Sequence, residues 1–221
     1  MDNSVILWTG VGLGIVALLL GGIFLYNTLT YPFKALDIDG VKIAEIPKEA
    51  VVEFKKAGKG AELKQLKKEG FLLYFDGIAE GAPGMGAVMY TQAEQDAREQ
   101  LSRYLNSVVT NFQQRAQGVL QSASTGTDED KVVSVTNTVF KNVSSNFAKT
   151  IQTGAEVVAK YYIMKAGRIE YHSVLIYNPK TAFSLLQQQS YLIEQLGEQG
   201  KEFYENLNKV LDEAFKNTPL K

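Results

Sequence analysis

The residues that could do chemistry in this chain are few and far apart in the sequence. The chain contains one histidine, His172, and no cysteine, and the lack of cysteine excludes disulfides, thiolate metal sites and a cysteine nucleophile. A serine nucleophile needs a general base, and His172 falls on a predicted strand with no evident aspartate partner. We therefore interpret His172 as a partly exposed strand residue and predict no catalytic role for it.

Carboxylates are the second group of candidates. Asp76 and Glu80 could in principle serve a hydrolase as a carboxylate pair, but nothing in their spacing distinguishes them. The acidic run 128–130 lacks the alternating ligand spacing and the glycine of a calcium-binding loop, so we predict that it caps a helix. The sequence therefore predicts no catalytic residue, no metal ligand and no bound cofactor, and the protein is not expected to be an enzyme.

A glycine-rich stretch at 77–86 is the remaining candidate for ligand binding. A loop of this composition between a strand and a helix can hold a phosphate. Here Gly81, Gly84 and Gly86 form G-x-x-G-x-G, the reverse of the dinucleotide-binding spacing, and no G-K-[ST] follows. We therefore interpret the stretch as a flexible turn or bulge.

The segment Val5–Tyr26 is the candidate for attaching the chain to a membrane. It contains no charged residue over its 22 residues. As a helix it would rise about 33 Å, enough to cross the hydrocarbon layer. No lysine or arginine precedes it and no cleavage site follows, so we predict an uncleaved single-pass transmembrane anchor. A stripe of small residues at spacings of four and three predicts self-association of this helix; the stripe consists of Gly10, Gly14, Ala17 and Gly21.

The remainder of the chain has a formal net charge of zero. Nucleic-acid binding calls for a basic surface, so no nucleic-acid partner is predicted. Lys34 and Lys42 follow the anchor, and the positive-inside rule read strictly would place the domain in the cytoplasm. The lysine-rich run 49–68 is interpreted as a solvated face, with contact to anionic lipid headgroups of the bilayer as the alternative.

The overall pattern predicts an α+β fold. An N-terminal transmembrane helix is followed by a small antiparallel sheet packed by two amphipathic helices, and a long C-terminal helix ends the chain. Residues 1–4 and 217–221 are predicted tails, and residues 27–69 a juxtamembrane connector with one short strand, Val41–Ile46. Residues 70–178 form the predicted α/β module.

Two amphipathic helices are predicted in this module. Thr91 and Glu94 form a capping box that predicts the start of the first helix, which runs to about Gln121. Small residues in its first half, Ala93 and Ala97, predict a close approach to the sheet. The second helix carries a predicted buried stripe, which consists of Val132, Val135, Val139, Val143 and Phe147.

The strands of the module are predicted from short apolar and alternating runs. Phe71–Phe75 predicts a strand that is buried on both faces. Two alternating runs, 156–163 and 169–177, flank Gly167 and predict a β-hairpin. On its first strand one face is predicted to hold Val157, Ala159, Tyr161 and Ile163. On its second strand one face is predicted to hold Ile169, Tyr171, Leu175 and Tyr177, with His172 on the opposite face.

The last predicted element is a long helix over 179–216. Its apolar positions alternate spacings of four and three, the 3.5-residue period of a coiled-coil seam, and from Pro179 to Phe215 it would measure about 55 Å. Because the sheet already has two helices, we favour a contact with another chain, and packing within this chain is the alternative. The predicted seam consists of Leu186, Ile193, Leu196, Phe203, Leu207 and Val210.

The order of these elements carries a pattern of small and apolar residues, namely Gly77, Ala93, Ala97, Gly154, Val157, Val158, Tyr161, Gly167, Tyr171 and Val174. In this pattern residues 71–177 resemble the twenty-kilodalton-type envelope lipoproteins, a family that includes flagellar basal-disk lipoproteins. The resemblance implies a compact α/β domain outside the inner membrane that builds envelope or motility-associated structures, with no catalytic residues. The chain departs from the family in having no lipidated cysteine and in its long C-terminal helix.

These observations lead to an expected function and setting. The protein is expected to be a membrane-anchored, non-enzymatic structural or scaffolding protein that forms homo-oligomers in the cell envelope, associated with a motility or secretion apparatus. The resemblance favours an inner-membrane location with the domain in the periplasm, against the lysine bias. The alternative is a membrane-tethered binding or regulatory module that docks a different envelope protein.

Overall fold

The computed structural model describes residues 32–123, 154–188 and 198–217, with short helical pieces between residues 134 and 146. The predicted anchor, Val5–Tyr26, lies outside these residues. Within the described ranges, no helix is both long enough and apolar enough to cross a membrane. The predicted fold class is therefore corrected: the described chain is α+β, with neither a membrane-spanning helix nor one long C-terminal helix.

The chain enters the fold through a β-hairpin. Strands β1 (Phe33–Ile38) and β2 (Val41–Pro47) pair antiparallel as a two-stranded sheet. The turn residues Asp39 and Gly40 have φ values of 47° and 76°, and Asp-Gly favours a two-residue hairpin turn because both residues tolerate positive φ. The hairpin lies within residues 27–69, which were predicted to form a connector. Alternate residues of both strands are buried, so this part of the segment belongs to the folded core.

The rest of the predicted connector is also ordered. Strand β3 (Val51–Lys55) and helix α1 (Gly60–Glu69) follow the hairpin. Asp39 Oδ2 accepts hydrogen bonds from the backbone N–H groups of Lys59 at 2.7 Å and Gly60 at 3.1 Å. The hairpin turn therefore caps the N-terminus of α1 with a side chain from a different element.

The main sheet has four antiparallel strands in the order β3-β5-β6-β4. Its other strands are β4 (Leu73–Gly81), β5 (Ala155–Lys165) and β6 (Arg168–Tyr177). The predicted β5–β6 hairpin is confirmed, but a bulge between Val157 and Ala159 changes its faces. Val157 packs in the same cluster as Leu175, whereas Ala159 lies in the cluster on the other side, so the predicted shared face is wrong at Val157.

Strand β4 continues through most of the predicted glycine-rich loop. Both Gly77 and Gly81 pair with β6, and only residues 82–85 separate β4 from helix α2 (Gly86–Ala123). Thr91 therefore lies inside the helix, where its Oγ1 donates to the Ala87 carbonyl at 3.0 Å. The predicted capping box is wrong because Met89 and Tyr90 extend the buried stripe of the helix towards its N-terminus.

Helix α2 lies directly against β4, as the small residues in its first half predicted. A Cβ atom on Gly77 would overlap the Ala93 carbonyl and come within 2.9 Å of Ala97 Cβ. Ala93 and Ala97 are both fully buried. A glycine facing two alanines is therefore what allows the helix and strand backbones to approach each other this closely.

The chain ends in two helices, α3 (Lys180–Gln187) and α4 (Glu198–Asn217). Gln188 is a turn residue, so the predicted continuous helix is wrong. Leu186, Leu207, Leu211, Ala214 and Phe215 are buried in the same core as α2 and the sheet. The apolar period of this region therefore packs within the chain, where α4 completes the main core.

The four-stranded sheet is covered differently on its two faces. On the helix side, Phe75, Leu175 and Tyr177 pack in the core with α2 and α4. On the hairpin side, Val174 and Ile176 pack against the β1–β2 hairpin and α1. Strand β6 is consequently buried on both faces.

Candidate functional site

The single histidine lies in a buried polar network on the hairpin side of the sheet. His172 is 4% exposed. Its Nδ1 lies 3.1 Å from Asp76 Oδ2, and its Nε2 lies 2.9 Å from Glu170 Oε1. Tyr161 donates a hydrogen bond from its hydroxyl to Asp76 Oδ2 at 2.5 Å, and its ring stacks on the imidazole at a centroid distance of 4.2 Å.

This network contradicts the interpretation of His172 as a partly exposed residue without an aspartate partner. The sheet register explains the difference. His172 of β6 lies directly opposite Ile78 of β4 and Tyr161 of β5. Asp76 is two residues from Ile78 on β4, so its side chain lies on the same face of the sheet. The aspartate partner could have been found by pairing the two predicted strands antiparallel and comparing their faces.

The geometry sets the charge state of the imidazole. Carboxylates next to both ring nitrogens favour the imidazolium form, because both nitrogens of that form donate hydrogen bonds. Burial alone lowers the pKa of His172, but the hydrogen bonds and charges of Asp76 and Glu170 outweigh burial and raise that pKa above its usual value. Burial opposes ionisation of Glu170, yet hydrogen bonds from Lys165 and His172 lower its pKa overall.

The tyrosine of the network stays a hydrogen-bond donor. Burial, together with the neighbouring Asp76 carboxylate, raises the pKa of Tyr161. Ser173, the next residue after the histidine, faces the helix side, where its Oγ donates to the Tyr90 carbonyl at 3.1 Å. Ser173 therefore lies on the other face of the sheet from the imidazole. Among the described residues, no group of three or more His, Cys, Asp or Glu side chains could hold a metal ion.

A shallow cavity of about 240 Å³ lies at the turn of the β5–β6 hairpin, beside this network. Its charged walls are Glu80, Lys165, Arg168 and Glu170. Lys165 Nζ lies 2.5 Å from a Glu170 oxygen and Arg168 lies 3.4 Å from a Glu80 oxygen. Each of these charged side chains already faces one of opposite charge. The cavity therefore has no preference for a positively or a negatively charged ligand.

The outer edge of β4 is closed by side chains of α2. The backbone N–H of Ile78 donates to Asp96 Oδ2 at 3.0 Å, and Gln100 Nε2 donates to the Asp76 carbonyl at 3.1 Å. Gln100 Nε2 also lies 2.9 Å from Asp96 Oδ2. These bonds satisfy edge groups that would otherwise be available to a strand of another chain.

The described residues leave the opposite half of the sheet largely uncovered on its helix side. Helix α2 packs mainly on β4 and β6 and only marginally on β5. Val51 lies directly opposite Tyr162, and Phe54 directly opposite Lys160. Lys160 Nζ lies 5.6 Å from the centre of the Tyr90 ring on α2, which places this row of side chains on the helix side.

We call these side chains the β3–β5 platform. Val51, Phe54 and Met164 are 44%, 43% and 68% exposed. Glu53 is exposed and lies in the bulge between Val52 and Phe54. Burial, and then the neighbouring Glu53 carboxylate, raise the pKa of Tyr90 on α2. The platform consists of Val51, Glu53, Phe54, Lys160, Tyr162 and Met164.

None of the residues predicted for self-association belongs to the β3–β5 platform. Leu186 and Leu207 are fully buried in the chain's own core, and Val210 packs against it. Ile193, Leu196 and the side chain of Phe203 lie outside the described part, as does the stripe formed by Gly10, Gly14, Ala17 and Gly21. Self-association through these undescribed residues stays a prediction. Sequence reasoning missed the platform because Val51–Lys55 falls in the segment interpreted as a connector.

Comparison of the chain with protein families, with curated proteins and with solved structures found no match. The resemblance of residues 71–177 to envelope lipoproteins therefore stays a prediction.

Proposed function

We propose that this chain is a non-enzymatic structural protein that assembles with copies of itself. The observation that carries this proposal is the half of the helix side of the sheet that the described residues leave uncovered. Four strands spaced about 4.8 Å apart make a sheet about 19 Å wide. Among the described helices, α2 packs mainly on β4 and β6 and covers about 10 Å of this width, and α4 packs in the same core. Three exposed apolar side chains therefore lie where a compact fold would place a second layer.

The buried polar network supports the non-enzymatic part of the proposal. Both nitrogens of His172 are engaged by carboxylates, and the Asp76 carboxylate also accepts from Tyr161. A general base needs a free lone pair within reach of a substrate proton. The network instead joins β4, β5 and β6 through their side chains, which is a structural role.

The charge of the chain supports self-association. Its formal net charge is −1, and proteins with a net charge near zero repel copies of themselves only weakly. Like copies can therefore approach without a large electrostatic barrier.

The test is the mass of the full-length chain in solution, measured by light scattering over a wide concentration range. We expect a mass that rises with concentration towards multiples of 24.4 kDa. A chain that stays at the monomer mass throughout would contradict the proposal. If the monomer instead co-purifies with a second protein in fixed proportion, the alternative of a binding module for a different partner replaces it.

A further inference from the structure

The charges of the β3–β5 platform are balanced and lie close to each other in the sheet register. Glu53 is the extra residue of a bulge between Val52 and Phe54, and Phe54 pairs with Lys160. Glu53 and Lys160 therefore lie at the same level along neighbouring strands. The platform carries one acidic and one basic side chain among apolar ones, which makes the surface electrostatically complementary to itself.

We propose that two copies of this chain pair through their β3–β5 platforms about a two-fold axis, with Glu53 of each copy facing Lys160 of the other. This inference rests on the proposed function and names the surface that performs it. With the axis parallel to the strands and midway between β3 and β5, β3 of one copy lies over β5 of the other. Val51 of each copy then faces Tyr162 of the other. The two-fold axis also produces two Glu53–Lys160 pairs across the interface.

The dimensions of the fold allow this arrangement. Packed sheets are separated by about 10 Å, which is also the diameter of a helix. Helix α2 stands on the same face as the platform, beside it. When two platforms meet, α2 of each copy therefore lies next to the β3 edge of the other, without separating the two sheets.

Pairing of strand edges is a less suitable alternative for either edge of the sheet. The β4 edge is closed by Asp96 and Gln100. Strand β3 has five residues, contains a bulge and carries charged side chains, all of which oppose the addition of a strand. The exposed apolar groups of β3 and β5 point out of the sheet plane, so the contact that buries them is face to face.

The charge pair gives a direct test. Glu53→Lys and Lys160→Glu are made separately in the full-length chain, and each variant is checked for a wild-type circular dichroism spectrum and melting profile. Each single variant puts like charges opposite each other at both positions of a homodimer. We expect its association constant to fall by about tenfold or more, because like charges facing each other across an interface are strongly unfavourable.

The mixture of the two variants is the decisive measurement. One chain then carries two positive side chains at these positions and the other two negative ones, so every facing pair in a heterodimer is complementary. Equal amounts of the variants should associate at least as tightly as the wild type. Charge effects confined to one chain cannot produce this recovery. A mixture no tighter than the separate variants would overturn the inference.

Phe54→Ser provides an independent test with a matched control. Phe54 is 43% exposed on the platform, and Ile78 is 47% exposed on the hairpin side of β4. Phe54→Ser should weaken association, whereas Ile78→Ser should leave it unchanged. If the wild type assembles and neither the charge variants nor Phe54→Ser changes its mass, the platform is not the interface, although self-assembly stands. A wild type that remains monomeric would contradict the proposed function itself.

Discussion

Asp76 and His172 are 96 residues apart in the sequence, and a carboxylate oxygen of the first lies 3.1 Å from Nδ1 of the second. The contact joins the edge strand β4 to the central strand β6. Tyr161 on β5 donates to the same carboxylate. One aspartate therefore connects three strands, and its removal leaves two buried groups without their acceptor.

Asp76→Asn should destabilise the fold. The amide removes the charge that balances the imidazolium, and loss of one partner of a buried hydrogen bond costs about 1–3 kcal/mol. We expect a decrease of that size in the free energy of unfolding, measured with urea at pH 6. Glu80→Gln on the same strand is the control: it breaks only an exposed ion pair with Arg168, so its effect should stay below about 0.5 kcal/mol. Equal effects of the two variants would argue against a structural role for the network.

The stability should also depend on pH through His172. The pKa of His172 is higher in the folded chain than in the unfolded one, because two carboxylates bind its charged form. Its contribution is therefore fully present below the unfolded pKa of about 6.5 and is lost as the pH rises through the folded value. Urea unfolding of the wild type between pH 5 and pH 9 should show this loss. The variant His172→Gln should lack it, and parallel profiles for the two proteins would contradict the assignment of the imidazolium.

Gly77→Ala tests the close approach of α2 and β4. The added methyl group overlaps the Ala93 carbonyl, and overpacking of this kind costs about 1–3 kcal/mol. Thermal unfolding should show a clearly lower melting temperature. Gly86→Ala is the matched control, since its new Cβ would meet the Tyr171 ring at an ordinary 3.5 Å. Replacing a glycine by alanine without an overlap restricts the unfolded chain and should not lower the melting temperature, so an equal decrease in the control would contradict the overlap as the cause.

Leu207→Ala tests whether α4 belongs to the core of its own chain. Leu207 is fully buried among residues of α2 and the sheet, so its truncation should lower the free energy of unfolding by about 2–5 kcal/mol. Lys209→Ala on the exposed side of the same helix should have little effect. If Leu207→Ala instead changed the oligomer mass and left the unfolding of the monomer unchanged, α4 would be an intermolecular helix.

Local sequence patterns predicted the elements whose signals are contained in a few residues. The β5–β6 hairpin follows from two alternating runs around Gly167, and the body of α2 follows from its apolar spacing. The Asp39–Gly40 turn carried an equally local signal, but the segment around it was interpreted as a connector with one short strand, Val41–Ile46, which corresponds to β2 (Val41–Pro47). Its hairpin was therefore missed, and with it the strand that forms half of the platform.

The sequence by itself determined which reactive side chains are available, with one histidine and no cysteine, and a net charge near zero. It also determined which residues alternate along β6 and which residues of α2 are small enough to approach a strand. Only the tertiary structure decided that Asp76 contacts His172, that α4 packs on its own chain and that the described residues leave half of one sheet face uncovered. These properties depend on strand order, register and a bulge, which arise from contacts between residues distant in the sequence. Such contacts produce no local hydrophobic periodicity from which they could be predicted.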